Sequence, residues 1–306
     1  MGKLSKTECF KIRLFTAKQE DDVFDLSNFN ELYTIMCTQS EWNLHPLIIV
    51  ADPFLFVHKN KLFLFYEEKF LHRPGIIKMI NTTDLINWSE PITVLEESYH
   101  LSFPWVFEDD GYIYMIPESG ADHSIRIYKA NNDNLSSFTL ETILLREENS
   151  DFADSSIIKK DGIYYLLTTV RRNNTNNLLL YYSQFLLRGY KKHPSSPIVI
   201  DNKYGRNAGS LLNINGKTYR LAQDCVMRYG DNVHVFVVDE LSKYSYKEHI
   251  VVMDLFDKNN PFYNEGGHQY NMVRFKDKLI IATDAKEYHG FGMARIKDLI
   301  MKTMHK

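Results

Sequence analysis

Six acidic residues of this 306-residue chain fall at matching places in a recurring sequence pattern. Each lies at or next to the outer end of a segment made of one strand, a tight turn and a second strand; they are Asp52, Glu67, Glu118, Asp154, Asp224 and Asp284. Carboxyl groups that crowd together repel one another unless a sugar, a cation or an arginine offsets their charge, and crowding raises some of their pKa values. Carboxyl groups with separated pKa values can act as general acid and general base. The pattern therefore indicates acid–base or sugar chemistry, provided that the fold brings the segments together.

The segments recur five times, as an apolar strand, a turn containing Gly, Asn or Asp, and an aromatic-rich strand. They span residues 52–67, 103–118, 154–169, 208–223 and 269–284. The turn residues are separated by 51, 51, 54 and 61 residues; they are Asn60, Gly111, Gly162, Gly216 and Asp277. A near-constant period of hairpins at this length is typical of β-propellers, so we predict an all-β, five-bladed β-propeller.

The rest of each period supplies outer strands, which makes the whole chain, residues 1–306, a single predicted domain. The predicted blades span about 47–97, 98–146, 147–201, 205–254 and 264–298. The fifth blade is one strand short, because only Gly292–Ile296 follows its hairpin. We expect the N-terminal strand 10–15 to close the ring, since closure removes an open sheet edge. Residues Leu26–Cys37 are the best candidate for a helix, packed across one face.

In a hairpin, the first residue of the first strand and the last residue of the second strand lie side by side. We therefore expect these residues of all five segments to lie at one rim around a central channel. The expected neighbours are Asp52 with Glu67, Phe103 with Glu118, Asp154 with Thr169, Ala208 with Gln223, and Gln269 with Asp284. Nearby cations are Arg171, Arg172, Arg206 and His268, and the aromatic candidates for stacking on a sugar are Trp105 and Tyr229. Structural interpretations stay open for each residue, because acids also end strands, arginines form ion pairs and aromatic rings fill space between blades.

Composition excludes several other classes of protein. The net charge of −3 provides no global field that would favour nucleic acid. Three widely separated cysteines, Cys9, Cys37 and Cys225, fit neither a disulfide framework nor the clustered spacing of zinc ligands. The N-terminus has no signal-peptide pattern and no apolar run is long enough to span a membrane, so we expect a cytoplasmic protein. No metal and no cofactor are predicted.

ADPFLFVHKNKLFLFYE and FADSSIIKKDGIYYLLTT resemble the first and third blades of the five-bladed propeller glycosidases, the arabinanase, xylosidase and invertase clan. This resemblance implies that Asp52 is a catalytic base or nucleophile and that Asp154 holds the sugar and tunes pKa values. The fourth blade departs from the pattern, because Arg206 and Asn207 stand where those enzymes place a general-acid glutamate. Neither side chain can donate a proton to a leaving oxygen in the same way.

A closer resemblance is to the propeller domain of plant glucosamine inositolphosphorylceramide transferases and of bacterial relatives encoded with surface-polysaccharide genes. The motifs that carry it are ADPFLF with FYE, SFPWVFEDDGYIYMIPES, HPSSPIV, GRNAGSLL and YRLAQDC followed by YG. The resemblance implies a glycosyltransferase that moves a sugar from a nucleotide-sugar donor to a glycan or glycolipid acceptor in bacterial surface-polysaccharide synthesis. Arginine suits a diphosphate leaving group, which needs charge stabilisation more than a proton.

The leading hypothesis assigns catalysis to Asp52, Glu118 and Asp154, with Asp52 as base or orienting carboxylate. The predicted substrate-binding residues are Glu67, Trp105, Arg206, Asn207, Gln223, Asp224, Tyr229 and His268. Binding of a glycolipid acceptor would also allow peripheral association with a membrane. One alternative is a hydrolase or phosphorylase of furanosides or mannosides that uses Glu118 or Asp224 as its acid, and another is a non-catalytic carbohydrate-binding propeller.

Overall fold

A computed structural model describes residues 6–18, 22–40, 42–294 and 297 of the chain. The strands are β1 Thr7–Lys18, β2 Asn30–Ile35, β3 Leu47–His58, β4 Lys61–Phe70, β5 Ile76–Thr82, β6 Ile92–Leu95, β7 Ser102–Asp109, β8 Tyr112–Glu118, β9 Ser124–Ala130, β10 Phe138–Arg146, β11 Phe152–Lys160, β12 Ile163–Arg172, β13 Thr175–Ser183, β14 Lys191–Lys192, β15 Val199–Ile200, β16 Leu212–Ile214, β17 Lys217–Asp224, β18 Asn232–Leu241, β19 Tyr246–Val252, β20 Tyr270–Phe275 and β21 Lys278–His289. Single turns of 3-10 helix cover Leu26–Asn28 and Gly120–Asp122.

These strands form five antiparallel sheets, which are the blades of a five-bladed β-propeller and confirm the predicted fold. From the axis outwards, the first four blades are β3-β4-β5-β6, β7-β8-β9-β10, β11-β12-β13 with β14 and β15 both pairing to β13, and β16-β17-β18-β19. The fifth blade is β20-β21-β1-β2. Apolar clusters fill the spaces between neighbouring blades, as where the rings of Phe54 and Phe103 pack edge to face at 4.8 Å.

Tight turns at one end of the propeller join the two inner strands of each blade. In the second, third and fourth blades the turns are Asp-Gly, Asp-Gly and Asn-Gly, and both residues of each pair have positive φ, with Gly111 at 78°, Gly162 at 74° and Gly216 at 78°. This conformation matches the twist of the strands, which is why Asn-Gly and Asp-Gly favour two-residue hairpins. We call this the turn end of the propeller, and the opposite end the open end.

The N-terminal strand closes the ring, as predicted. β1 pairs with β21 over twelve residues, from Thr7 opposite His289 to Lys18 opposite Lys278. β2 then pairs with the outer edge of β1, so the N-terminal segment supplies both outer strands of the fifth blade. Ring closure therefore joins residues from the two ends of the described chain in one sheet.

Two predictions about secondary structure are wrong. Leu26–Cys37 is not a helix, because only Leu26–Asn28 turns as a 3-10 helix and Asn30–Ile35 is the strand β2. Tyr33, Thr34 and Ile35 suit a strand, and the free edge of β1 provides their partner. Gly292–Ala294 is helical rather than a third strand of the fifth blade, because β1 already occupies the edge of β21. Arg295 and Ile296, the rest of that predicted strand, lie outside the described residues.

No helix among the described residues is long and apolar enough to cross a membrane.

We expect Leu14→Ala to lower the free energy of unfolding by about 2–5 kcal/mol, the range for a buried leucine cut back to alanine. Leu14 is fully buried in the cluster that joins the fifth blade to the first, with Val50, Leu64 and Ile280. Urea denaturation followed by circular dichroism measures the change. Ile86→Ala, at a side chain 81% exposed, should change stability by less than about 0.5 kcal/mol. A Leu14→Ala variant as stable as the wild type would contradict the assigned role of β1.

Candidate active site

β-Bulges shape the inner strands of the first three blades at equivalent positions. The register shifts between Ala51 and Phe54, between Ser102 and Trp105, and between Ala153 and Ser156. The first residue inside each shift has a left-handed backbone; these residues are Asp52 with φ 52°, Phe103 with φ 46° and Asp154 with φ 51°. Non-glycine residues adopt this conformation only where the surroundings enforce it, and bulges often re-aim a side chain beside a site.

The bulges also correct the predicted neighbours across the hairpins. The partners of Glu67, Glu118 and Thr169 are Ala51, Ser102 and Ala153, each one residue before the predicted partner. Even so, the acidic residues of different blades meet at the axis, towards the open end of the propeller, as the contacts below show.

Asp52 is almost completely buried and is held from three directions. Its Oδ2 accepts a hydrogen bond from the backbone N–H of Phe103 at 3.0 Å, and its own N–H donates to Asp284 Oδ2 at 3.1 Å. His268 lies between the two carboxylates, with Nε2 3.4 Å from Asp52 Oδ1 and Nδ1 2.7 Å from Asp284 Oδ2. The residues form a chain Asp284–His268–Asp52 with the imidazole between the two acids, although its Nδ1 makes no well-directed hydrogen bond within the described residues.

Arg206 occupies the other half of the site. Its Nε donates to Asp154 Oδ2 at 2.6 Å, and its Nη2 lies 3.5 Å from Glu118 Oε2. Gln223 also donates to Asp154 Oδ2, at 3.1 Å, and the Asn207 side chain donates to the Asp154 carbonyl at 2.9 Å. The ring of Tyr229 lies 5.0 Å from the guanidinium carbon, within the range of a cation–π contact.

The site separates the pKa values of its carboxyl groups. Burial, together with the charges of Asp284 and Asp154, raises the pKa of Asp52 to about 6, although His268 opposes the shift. Burial and the neighbouring Asp154 raise the pKa of Glu118 to about 8, against the opposing charge of Arg206. Near neutral pH, Asp52 is therefore mainly ionised and Glu118 mainly protonated, the arrangement expected of a base and an acid.

The pKa values of His268 and Glu67 are also raised. Burial would lower the pKa of His268, but Asp284 and Asp52 raise it above its ordinary value, which favours the imidazolium. Burial and the charge of Asp52 raise the pKa of Glu67. Glu67 Oε1 lies 3.5 Å from His100 Nε2, and His100 Nδ1 accepts the N–H of Gly75 at 2.8 Å, so the neutral imidazole presents Nε2–H to Glu67.

The structure brings together nine of the eleven predicted site residues. They are Asp52, Glu67, Glu118, Asp154, Arg206, Asn207, Gln223, Tyr229 and His268. What each of them does with a substrate stays a prediction.

Trp105 and Asp224 do not join the cluster. The Trp105 ring stacks on Phe107 at 4.2 Å and lines a cavity of about 320 Å³ towards the turn end, beyond the register shift between Ser102 and Trp105. The Asp224 carboxylate lies 3.4 Å from His234 Nε2 and accepts the N–H of Val226 at 2.9 Å. Arg172 is an ion-pair partner of Glu147 at 3.6 Å.

Two further residues of β21 belong to the site. The sequence pattern indicates Asp284 only as a rim acid, yet it accepts hydrogen bonds from the N–H groups of Asp52, His268 and Gln269. Lys286 was missed; its side chain is fully buried, and its ammonium contacts the carbonyl of Tyr229 and lies 3.4 Å from Glu8 Oε2. The alternation of the strand could have indicated it, since Lys286 follows Asp284 by two residues and shares its face.

One group here could hold a cation. Asp52, His268 and Asp284 each offer a ligand atom, and these atoms lie within 4.8 Å of one another. A protonated His268 offsets the same carboxylates, so the group does not require a metal.

Several solved structures have a fold similar to that of this chain. An α-L-arabinofuranosidase from Podospora anserina matches with a TM-score of 0.60 at 9% identity, over 76% of this chain and 90% of that one. A β-fructofuranosidase from Bombyx mori matches with a TM-score of 0.55 at 15% identity, over 80% and 61%. A glycoside hydrolase family 43 protein from Bacillus licheniformis matches with a TM-score of 0.53 at 17% identity, over 67% and 43%. At these identities the likeness shows the five-bladed propeller fold.

Sequence comparison identifies the family to which this five-bladed propeller belongs. The chain belongs to the family described as "Glucosamine inositolphosphorylceramide transferase 1, N-terminal", whose model matches residues 26–282. The glucosamine inositolphosphorylceramide transferase 1 of Oryza sativa subsp. japonica is 34% identical over 262 residues, which are 83% of this chain and 33% of the relative. That of Arabidopsis thaliana is 35% identical over 211 residues, 66% of this chain and 27% of the relative. The chain thus spans about a third of the length of these relatives.

We expect Glu118→Gln to reduce the dependence of stability on pH. The folded protein holds the Glu118 proton up to about pH 8, whereas an unfolded chain releases it near 4.5, so the free energy of unfolding falls as pH rises between these values. Glutamine stays neutral and removes this contribution. Urea denaturation at pH 5 and pH 8 should show a smaller difference for the variant than for the wild type. Glu108→Gln, at an exposed carboxylate, is the control; the same difference in Glu118→Gln as in the wild type would contradict the assignment.

Proposed function

We propose that this chain is a glycosyltransferase-type enzyme that moves a sugar from a nucleotide-sugar donor to a glycolipid or glycan acceptor at the axial site. Membership of the family supports the reaction class, since the plant relatives carry the name glucosamine inositolphosphorylceramide transferase 1. Because the chain spans only about a third of those relatives, the proposal depends on the chemistry of its own site.

The observation that carries the proposal is the position of Arg206. Its guanidinium contacts both Asp154 and Glu118 at the axis, in the blade where the resembling glycosidases place their acid. No hydrogen bond from its Nη1 is found within the described part of the chain, and the side chain is 21% exposed. A nucleoside diphosphate leaves as an anion, so a fixed guanidinium stabilises the bond-breaking step without donating a proton.

The proposed reaction is a displacement at the anomeric carbon. The hydroxyl oxygen of the acceptor forms the new bond to this carbon, and its proton passes to the ionised Asp52. The bond between the anomeric carbon and the diphosphate oxygen breaks, and its electron pair stays on the diphosphate, facing Arg206 and His268. Asp154, Glu118 and Gln223 bind the hydroxyl groups of the sugar.

The proposal also includes the acceptor pathway and the cellular location of the reaction. The resemblance to bacterial relatives implies an acceptor of surface-polysaccharide synthesis and a cytoplasmic location, where nucleotide sugars are made.

A hydrolase is the second candidate, because one observation favours it. The pKa of Glu118, raised to about 8, makes this residue a proton donor at neutral pH, while Asp52, with a pKa of about 6, is ionised. Such a pair could cleave a glycosidic bond. The variant Glu118→Gln separates the two functions: it should abolish hydrolysis but leave much of the transfer from a nucleotide sugar, whose leaving group needs no proton.

We expect Asp52→Asn and Arg206→Ala each to lower the rate of sugar transfer at least ~100-fold, the scale for loss of a general base or of a group that stabilises developing charge. Release of nucleoside diphosphate from a nucleotide-sugar panel, with a glycolipid acceptor present, measures the rate. Asp239→Asn and Arg172→Ala, at partly exposed ion pairs, are matched controls that should retain activity. Wild-type rates in Asp52→Asn and Arg206→Ala would exclude the proposed roles.

Exposed apolar side chains near the open end support peripheral association with a membrane that carries the acceptor. Val226 is 57% exposed and Met227 86% exposed, in the loop that leads from β17 to Tyr229. Trp42, 78% exposed, precedes β3 at the same end. An apolar rim around a sugar site would place the site at the level of lipid headgroups.

We expect Met227→Asp to weaken binding to liposomes of acidic and neutral phospholipids at least ~5-fold in a sedimentation assay, since it removes apolar contact and adds repulsion from acidic headgroups. Ile86→Asp is the matched control, because Ile86 is 81% exposed but follows β5 at the turn end. Equal binding of both variants and the wild type, or no binding by any, would exclude the rim as a membrane contact.

A further inference from the structure

A second group of metal-binding side chains lies in the fifth blade, apart from the axial site and independent of the proposed function. Glu287 and His289 are two residues apart on β21 and so share one face of the sheet. Cys9 on β1 is the register partner of Glu287, and Cys37 follows the end of β2 by two residues. Three separate chain segments therefore bring two thiols, a carboxylate and an imidazole together.

The distances within this group are short. Cys37 Sγ lies 2.8 Å and His289 Nε2 lies 3.0 Å from the same oxygen, Glu287 Oε1. One ligand atom from each of Cys37, Glu287 and His289 lies within 4.8 Å of the other two. Tetrahedral zinc, with bonds of ~2.0–2.3 Å, holds its ligand atoms about 3.3–3.8 Å apart, so only small side-chain movements separate this arrangement from a coordinated one.

The surroundings support a metal rather than a plain hydrogen-bonded cluster. Cys37 is 4% exposed, and the side chains of Glu287 and His289 are 17% and 19% exposed. His289 Nε2 is buried and makes no well-directed hydrogen bond within the described residues, despite its short distance to Glu287. Lys11 donates a hydrogen bond to Glu287 Oε2 at 3.0 Å, and Gln39 donates one to Oε1 at 2.8 Å. Hydrogen bonds of this type orient carboxylates that bind metals.

We propose that Cys37, Glu287 and His289 bind one zinc ion. Sulfur, nitrogen and carboxylate oxygen are the donors that zinc takes in proteins, and three protein ligands leave a fourth position. The thiol of Cys9, the register partner of Glu287, or a water molecule fills that position. The ion would fasten the segment after β2 to β21, and so hold the N-terminal strands in the blade that closes the ring.

Cobalt substitution tests the site directly on the full chain, kept reduced and freed of metal. Added Co²⁺ should bind with one equivalent to this site and give a sulfur-to-cobalt charge-transfer band together with the intense visible bands of tetrahedral cobalt. One equivalent of Zn²⁺ should abolish both. The group Asp52–His268–Asp284 contains no sulfur, so binding of cobalt there gives no charge-transfer band and cannot mimic the result.

Substitutions assign the ligands. Cys37→Ser should remove the charge-transfer band unless Cys9 remains bound, in which case the double variant with Cys9→Ser removes it. His289→Gln should weaken binding by more than the ~10–100-fold that loss of an outer contact costs. Cys225→Ser and His249→Gln, a cysteine and a histidine outside the group, should change neither the band nor the affinity.

Three results would overturn the proposal: no charge-transfer band in the reduced wild-type protein, a band that persists in the variant lacking both Cys9 and Cys37, or a band lost in Cys225→Ser. The first needs no variant, so the outcome does not depend on whether the substituted chains fold. A Cys9–Cys37 disulfide that resists reduction and prevents cobalt binding would equally exclude the zinc site.

Discussion

The structure depends on buried carboxylates that accept hydrogen bonds from the next blade around the axis. Asp284 of the fifth blade receives the N–H of Asp52, and Asp52 receives the N–H of Phe103 in the second blade. Asp154 of the third blade receives the side chain of Arg206 from the fourth. A buried carboxylate is tolerated only where donors or cations satisfy it, so these contacts fix how the blades meet. The same carboxylate oxygen atoms line the candidate active site. The contacts that join the blades therefore also position the groups proposed to act on a substrate.

Contacts between blades hold the carboxylates of the site in place. The left-handed backbone at Asp52 and Asp154 directs their carboxylates to the axis, and the neighbouring blades hold them there. Phe103 has the same left-handed backbone but an uncharged side chain. The bulge is therefore a feature of the fold, and the side chain at that position decides whether a carboxylate is present. Preorganised charges of this type stabilise a transition state without reorganisation, which suits a reaction that separates a diphosphate from a sugar.

The repeated hairpins predicted the fold, the ring closure and the meeting of Asp52, Glu118, Asp154 and Arg206, because a constant period places equivalent residues at one rim. The local pattern does not reveal the bulges, so three of the expected pairs are displaced by one residue, and Trp105 lies towards the turn end instead of at the rim. The helix predicted over Leu26–Cys37 is wrong because β2 pairs with the outer edge of β1, a contact that the local residue pattern does not show. The order of the pKa values, and the meeting of Cys37 with Glu287 and His289, depend on burial and on contacts between distant segments that spacing cannot show.

The most direct measurement is the melting temperature of the wild type and of Arg206→Ala with a panel of nucleoside diphosphates and with neutral oligosaccharides. A ligand that binds only the folded protein raises its apparent stability, by about 2.7 kcal/mol at a hundredfold excess over the dissociation constant. Our account requires at least one nucleoside diphosphate to raise the melting temperature of the wild type, with the shift lost in Arg206→Ala. Stabilisation by neutral oligosaccharides alone, with no response to any nucleoside diphosphate, would contradict it.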